Sequence, residues 1–215
     1  MIDLAAELGG PGLVPVVVID SAARAAPLAD ALRSGGLLTV EVTLRTGAAL
    51  EALRVIAEDP TILAGAGTVL RADQVKAAVA AGARYLVSPG FSPTVVKECE
   101  AQGVPCIPGV ATATEVQTAL EHGIEIVKLF PAAAIGGPGV VRALSAPFPQ
   151  VRFVPTGGIT AASLPDYVEV PSVLAVGGSW MVAPDLLAAG DFERITQLTS
   201  EAVATVRRTR EAHER

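Results

Sequence analysis

Histidine, cysteine, lysine and the aromatic residues are all scarce in this chain of 215 residues. The two histidines, His122 and His213, cannot form a histidine-based metal site or a Ser-His-Asp triad. The two cysteines, Cys99 and Cys106, are too few and too close together for the disulfide framework of a secreted protein. They also lack a third soft metal ligand, although magnesium held by carboxylates stays open. We therefore expect both to be small core residues in a reducing compartment.

Basic runs and long apolar segments are absent as well. The net charge is −6 and the pI about 5.0, and basic residues cluster only within the last nine positions, which argues against a nucleic-acid partner. The longest uncharged stretch, Val170–Pro184, has 15 residues interrupted by glycine and proline and is too short for a membrane span. The N-terminal segment carries acidic residues where a signal peptide is basic. These features predict a cytoplasmic protein that binds neither membrane nor nucleic acid.

Short apolar runs that alternate with helical segments make up most of the chain. Hydrophobic residues are 51% of the sequence, and the mean hydropathy is +0.50. Eight runs rich in β-branched residues start 20 to 27 residues apart. They are VPVVVI from Val14, LLTVEVTL from Leu37, ILAGAG from Ile62, YLVSPG from Tyr85, PCIPGV from Pro105, EIVKLF from Glu125, RFVPTGG from Arg152 and VLAVGG from Val173. Strands separated by single helices pair in parallel, and eight such α/β units predict a (β/α)8 TIM barrel; an open doubly wound sheet is the alternative.

Capping residues mark the ends of the predicted helices. Ser92 and Thr114 are candidate N-caps because proline and glutamate, respectively, follow them. Glycines stand where a helix C-terminus favours a left-handed residue: Gly35, Gly82, Gly103 and Gly123. Since no Pro/Ser-rich linker divides the chain, residues 1–215 are predicted to form one barrel domain. A short helix at Asp3–Leu8 precedes it and a closing C-terminal helix spans Asp191–Glu214.

Lys128 is the most informative residue of the sequence. It is one of three lysines, and the other two, Lys76 and Lys97, fall on predicted helices where a solvated position is expected. Lys128 instead interrupts an apolar run and shares a strand face with Ile126 and Phe130. Burial disfavours the charged form of an amine, and a neutral amine can attack a carbonyl to form a Schiff base. A lysine that snorkels from the strand end or pairs with a carboxylate is the alternative.

Glu41 and Arg45 are the candidate partners of Lys128. Glu41 lies between two valines of a predicted strand and is expected to point inwards, as are Thr39 and Thr43. An inward carboxylate facing an inward lysine could transfer protons, although a plain buried ion pair is equally compatible with the pattern. Arg45 follows in the next loop, where its guanidinium suits a substrate carboxylate.

Two glycine pairs end the last two predicted strands. Gly157-Gly158 and Gly177-Gly178-Ser179 stand where many barrels of this class bind phosphate through backbone N–H groups. Glycine allows the backbone to approach an anion closely, and Ser179 can add a hydroxyl. Tight turns without a ligand are the alternative, but glycine pairs at both ends favour a phosphate site.

Seven motifs in order resemble those of the 2-keto-3-deoxy-6-phosphogluconate (KDPG) and 2-keto-4-hydroxyglutarate (KHG) aldolase family. They are VEVTLRT (40–46), GAGTVL (65–70), SPG (88–90), PGVAT (108–112), VKLFPA (127–132), PTGGI (155–159) and GGSW (177–180). The resemblance covers about residues 14–182. It implies a TIM-barrel class I aldolase that cleaves KDPG to pyruvate and glyceraldehyde 3-phosphate in the Entner–Doudoroff pathway, works without a metal or cofactor, and assembles as a homotrimer.

The same resemblance implies a role for each site residue. Lys128 would form the Schiff base with the C2 ketone, and Glu41 would be the general acid and base. The pyruvate end would be framed by Arg45, Thr68 and Pro89, with Phe130 beside the imine. The phosphate-bearing half would be held by Thr156, Gly157, Gly158, Gly178 and Ser179. Ala133 departs from the family, where a glutamate is common, which puts loop contacts rather than the chemistry in doubt.

Three other readings stay open at this point. KHG cleavage to pyruvate and glyoxylate, or cleavage of 2-keto-3-deoxy-6-phosphogalactonate, would use the same chemistry with a different aldehyde half. A phosphosugar isomerase or epimerase barrel would share the phosphate ends without needing an inward lysine. A non-catalytic phosphosugar-binding barrel would bind a ligand but release no pyruvate. The first of these readings is a lyase and the second an isomerase or epimerase, whereas the third is not an enzyme.

Overall fold

The structure is a computed structural model that describes residues 2–213. Its strands are β1 (Leu13–Val17), β2 (Thr39–Thr43), β3 (Leu63–Gly67), β4 (Tyr85–Val87), β5 (Cys106–Ile107), β6 (Gly109–Val110), β7 (Ile126–Leu129), β8 (Arg152–Phe153) and β9 (Val176–Gly178). Its α-helices are α1 (Leu4–Gly9), α2 (Ala25–Ser34), α3 (Ala49–Ala57), α4 (Ala72–Ala80), α5 (Pro93–Ala101), α6 (Ala113–Glu121), α7 (Pro138–Ser145), α8 (Leu164–Val168), α9 (Pro184–Ala189) and α10 (Phe192–His213). Short 3₁₀ helices lie at Ala22–Arg24 and Trp180–Val182.

The predicted α/β fold with a parallel sheet is confirmed. Strands pair in parallel in the order β5-β4-β3-β2-β1-β9, and a second group has the order β6-β7-β8. The fifth predicted run is split into β5 and β6 because Pro108 has no N–H to donate to a ladder. Isolated parallel bridges, Phe153 to Val173 and Thr156 to Gly177, join the two groups on the other side. The parallel sheet is therefore curled, while its regular ladder is not continuous through all eight units.

The helix caps agree with the sequence at some positions and correct it at others. The Ser92 hydroxyl accepts a hydrogen bond from Val95 N–H at 3.4 Å, as predicted. The cap of α6 is Thr112 rather than Thr114, since Thr112 and Glu115 form a reciprocal capping box. After α2 the left-handed residue is Gly36, with φ of 90°, and Gly35 keeps helical angles. Thus the cap of α6 lies two residues before the predicted one, and the left-handed residue after α2 lies one residue after the predicted one.

The terminal helices lie close to their predicted positions. The Asp3 carboxylate caps α1 by accepting a hydrogen bond from Ala6 N–H at 3.1 Å. Helix α10 packs against α2 and α8, so it covers the outer layer as expected for a closing helix. The last residue predicted for it, Glu214, lies outside the described residues. Along residues 2–213, no helix is both long enough and apolar enough to cross a membrane.

Alternate residues of the strands belong to two separate cores. Val14 of β1, Leu63 of β3, and Tyr85 and Val87 of β4 join one buried cluster, which Leu8 of α1 helps to close. Their strand neighbours pack instead against the surrounding helices in a larger cluster that includes Leu13, Ala64 and Leu86. A strand with both faces buried needs apolar residues at successive positions, which explains the continuous apolar runs.

Tyr85 is fully buried on the inner face of the sheet. Its hydroxyl donates a hydrogen bond to the Val40 carbonyl at 3.0 Å. Burial raises the pKa of Tyr85 above its ordinary value of 10.0, and the nearby Glu41 carboxylate raises it further. The folded protein therefore keeps this phenol protonated at a pH where the unfolded chain releases the proton.

We expect the stabilisation from Tyr85 to be complete below pH 10 and to be lost as the pH rises further. The difference in unfolding free energy between wild type and Tyr85→Phe should shrink by about 1.4 kcal/mol between about pH 9 and pH 11, where only the unfolded chain ionises. Urea unfolding at each pH gives both values. Because Tyr85→Phe shares the other titrating groups, it is the matched control. A difference that stayed constant with pH would show that the phenol titrates normally in the folded protein.

Candidate active site

Lys128 and Glu41 form a buried ion pair inside the sheet. Lys128 Nζ donates a hydrogen bond to Glu41 Oε1 at 3.1 Å, and the two side chains are only 7% and 3% exposed. Glu41 occupies the middle of β2, which is buried along its whole length. Lys128 lies on β7 and is held in register by a hydrogen bond from its backbone N–H to the Pro108 carbonyl at 2.9 Å. The inward orientation predicted for both side chains is thus present in the structure.

A polar and an aromatic residue, Thr43 and Phe130, belong to the same region as this pair. Thr43, also predicted to point inwards, donates its hydroxyl hydrogen to the Val17 carbonyl at 2.7 Å. Lys128 Nζ lies 5.4 Å from the centre of the Phe130 ring, which supplies a negative face to an ammonium or iminium. A cation at this nitrogen is therefore stabilised by both the Glu41 carboxylate and the Phe130 ring.

A cavity of about 290 Å³ opens beside Lys128. Ten of the eleven residues predicted for the site line it, and the eleventh, Glu41, is reached through its hydrogen bond to Lys128. These ten are Arg45, Thr68, Pro89, Lys128, Phe130, Thr156, Gly157, Gly158, Gly178 and Ser179. A plain structural ion pair does not require the lysine to face a cavity, so this position favours a role in binding or catalysis.

The cavity also has an apolar wall that the sequence did not single out. It consists of Val16, Val18, Ile159, Val182 and Pro184. Val16 and Val18 alternate along the first apolar run, which was a signal for an inward face. Ile159, Val182 and Pro184 could not be recognised in the sequence as site residues. An apolar residue after a strand has many structural roles, so its type alone does not indicate a binding site.

One end of the cavity carries an exposed cation and a strained backbone. Arg45 is exposed and forms no ion pair with the residues that the structure describes. Thr68 has a φ of 56°, a left-handed conformation that is unusual for a residue other than glycine. Strained residues of this kind concentrate at ligand sites. Together with Pro89, these residues make this end suitable for a carboxylate.

The other end is built from glycine-rich loops. Gly157 and Gly158 have φ values of 100° and 73°, so two successive residues adopt left-handed conformations. A side chain at Gly177 would overlap the Thr156 hydroxyl, and one at Gly178 would overlap the Trp180 ring. Glycine is needed here to bring the two loops together around Thr156. The resulting bare backbone and the exposed Ser179 suit an anionic group.

A buried lysine beside a carboxylate, facing a small cavity on a parallel α/β fold, is typical of enzymes that form a Schiff base with a carbonyl substrate. Comparison with known proteins identifies the family more closely. A family model for the KDPG and KHG aldolases matches residues 6–198. The chain therefore belongs to the KDPG and KHG aldolase family, as the sequence motifs indicate.

Relatives share most of their length with this chain. A 2-dehydro-3-deoxy-phosphogluconate aldolase of Treponema pallidum is 50% identical over 195 residues, which cover 90% of this chain and 93% of that protein. The KHG/KDPG aldolase of Escherichia coli K12 is 45% identical, with 90% and 91% covered. A solved KDPG aldolase from Legionella pneumophila, with pyruvate captured at low pH as a covalent carbinolamine intermediate, is 40% identical. It has a TM-score of 0.89 and covers 92% of this chain and 97% of its own.

Proposed function

We propose that this chain is a class I aldolase that cleaves KDPG to pyruvate and glyceraldehyde 3-phosphate. The observation that carries the proposal is the buried Lys128–Glu41 pair. Lys128 Nζ lies 3.1 Å from Glu41 Oε1, and Lys128 also lines the cavity. Membership of a family of carbon–carbon lyases supports it. The carbinolamine of the Legionella protein is the intermediate that an amine and pyruvate form in such a reaction.

The reaction starts when the Lys128 ammonium gives a proton to Glu41, 3.1 Å away, and the neutral amine attacks the C2 ketone of the keto acid. The carbinolamine that forms loses water to give a protonated imine, and Glu41 supplies and removes the protons of this step. The iminium then accepts the electron pair of the C3–C4 bond as it breaks, while the C4 hydroxyl loses its proton and becomes the aldehyde. Protonation of the resulting enamine at C3 and hydrolysis of the imine release pyruvate and regenerate Lys128.

The two ends of the cavity match the two anionic ends of this substrate. Arg45, Thr68 and Pro89 frame the carboxylate end, and Phe130 packs beside the imine. The phosphate end lies at the glycine loops, with Thr156, Gly157, Gly158, Gly178 and Ser179 as its proposed contacts. Local positive charge at Arg45 matters because the whole chain has a net charge of −6 and would otherwise repel an anionic substrate.

Borohydride reduction in the presence of pyruvate tests the proposal directly. We expect intact mass to show one reduced pyruvate adduct per chain, and peptide mapping to place it on Lys128. The exposed Lys76 and Lys97 provide an internal control, since neither lines the cavity. A folded protein without an adduct would exclude the Schiff-base mechanism and favour an isomerase, an epimerase or a binding barrel.

Substrate choice needs a second comparison on the same protein. The two C4 epimers, KDPG and 2-keto-3-deoxy-6-phosphogalactonate, and unphosphorylated KHG should be cleaved at different rates if polar contacts at the distal end select the substrate. We propose KDPG as the best of the three and KHG as a secondary substrate. Fastest cleavage of the phosphogalactonate would overturn this order without affecting the Schiff-base chemistry.

Several wider features belong to the same proposal. We propose that residues 1–215 form one domain whose eight strand units close into a (β/α)8 barrel, supported by the pairing of β9 with β1 and by the isolated bridges from Phe153 and Thr156. We also propose a cytoplasmic homotrimer that acts without a metal or cofactor, as the family resemblance implies. Light scattering should then give about three times the chain mass of 21.8 kDa.

A further inference from the structure

The Glu41 carboxylate has a single hydrogen-bond partner among residues 2–213, and that partner is Lys128 Nζ. In the proposed reaction this nitrogen becomes part of a carbinolamine and then of an imine. An imine nitrogen carries at most one hydrogen, whereas a free ammonium carries three. The only direct polar contact that holds Glu41 is therefore altered at the stage when its proton transfers are needed, so packing must keep the carboxylate in place.

Gly67 at the end of β3 supplies this packing. A Cβ atom at position 67 would lie 2.7 Å from both Cγ and Cδ of Glu41 and would overlap its Oε1. The backbone of Gly67 is not in the left-handed region, and it lies in the regular ladder opposite Thr43. Glycine is thus required at this position for space rather than for backbone conformation.

Tyr85 of β4 fills the space at the other inward glycine of β3, near Glu41. A Cβ atom at Gly65 would enter the Tyr85 ring, so the two inward glycines of β3 leave room for one side chain each. The Tyr85 hydroxyl is fixed on the Val40 carbonyl, next to Glu41 in the chain. Glu41 consequently packs closely against the Gly67 backbone, with the fixed Tyr85 ring nearby.

We propose that Gly67 is a positioning residue that keeps Glu41 within proton-transfer distance of the nitrogen and C3 carbon of the Lys128 adduct. This inference rests on the proposed aldolase function. It separates two requirements on the chain: Lys128 must be able to form the adduct, and Glu41 must stay in place after the adduct has formed. A side chain at position 67 should leave adduct formation by Lys128 largely intact, but it should displace Glu41 once the adduct has formed.

Gly67→Ala is the test, with two readouts on the same folded variant. We expect borohydride still to trap pyruvate on Lys128, while exchange of the pyruvate methyl protons in D₂O, followed by NMR, slows about 100-fold because the base is displaced by about 1 Å. Gly139→Ala is the matched control, since a Cβ atom there meets nothing within 4 Å, and it should exchange at the wild-type rate. Wild-type exchange in folded Gly67→Ala would overturn the proposal.

A thermal double-mutant cycle covers the case in which Gly67→Ala folds but is too unstable for the exchange measurement. Glu41→Ala removes the Cγ, Cδ and carboxylate atoms that the new methyl group would meet. The fall in Tm caused by Gly67→Ala should therefore largely disappear in the Glu41→Ala background. An equal fall in both backgrounds would show that Gly67 acts through other contacts and would overturn the proposal. Failure of the wild type to trap pyruvate would instead overturn the proposed function.

Discussion

Lys128→Met is expected to lower kcat for KDPG cleavage by about 10⁴-fold or more, the scale seen when a covalent nucleophile is removed from a site that works as a unit. Methionine has a similar length and suits the buried position, but it cannot attack the C2 ketone. Without the iminium no electron acceptor is available when the C3–C4 bond breaks. Pyruvate release coupled to NADH oxidation measures the loss, and borohydride should trap no pyruvate.

Two controls separate this chemical effect from a loss of structure. Lys97→Met removes an exposed lysine of α5 and should keep wild-type kcat. Lys128→Met also leaves Glu41 without its counter-charge, and breaking a buried ion pair costs about 3–5 kcal/mol. Lys128→Met/Glu41→Gln should therefore be more stable than Lys128→Met while remaining inactive. Appreciable cleavage by folded Lys128→Met would rule out the Schiff-base mechanism.

The lysine, the carboxylate and the glycine loops could be predicted from the sequence because each breaks a local rule. Lys128 interrupts an apolar strand, and Glu41 stands between two valines where an apolar residue would suffice for packing. Burial without a partner would be unfavourable for either charge, so pairing of the two was one of the arrangements that the sequence favoured. The structure adds the distance of 3.1 Å and the cavity beside them.

Other features of the site and fold could not be predicted, because they depend on contacts between different strands. Gly67 resembles any other small residue of an apolar run, and only the placement of β3 against β2 shows that Glu41 fills the space beside it. The split of the fifth strand at Pro108 could not be predicted either. A proline in an apolar run does not reveal which neighbouring strand each half will pair with. The Thr112 cap could have been found from the sequence, because glutamate stands three residues after it.

Glu41→Gln should lower kcat by about 10²–10⁴-fold, the usual contribution of a positioned general acid and base. Glutamine keeps the shape of the side chain and an oxygen that can accept the Lys128 hydrogen bond, so the fold and the cavity should persist. It cannot take up or release the protons of carbinolamine dehydration or of the enamine. Because the substrate-binding ends are untouched, KM should change little, and kcat and kcat/KM should fall together. Steady-state kinetics at several KDPG concentrations measure both.

The order of the partial reactions gives a sharper result than kcat alone. Attack by Lys128 needs only a neutral amine, so Glu41→Gln should still give the borohydride adduct, more slowly than wild type. Methyl-proton exchange of pyruvate, which requires a base after the imine has formed, should fall by a larger factor. Glu58→Gln on the surface after α3 is the matched control and should leave both rates unchanged. Equal and small effects of Glu41→Gln on trapping and exchange would assign Glu41 to the buried ion pair alone, and the protons would then have to move through water.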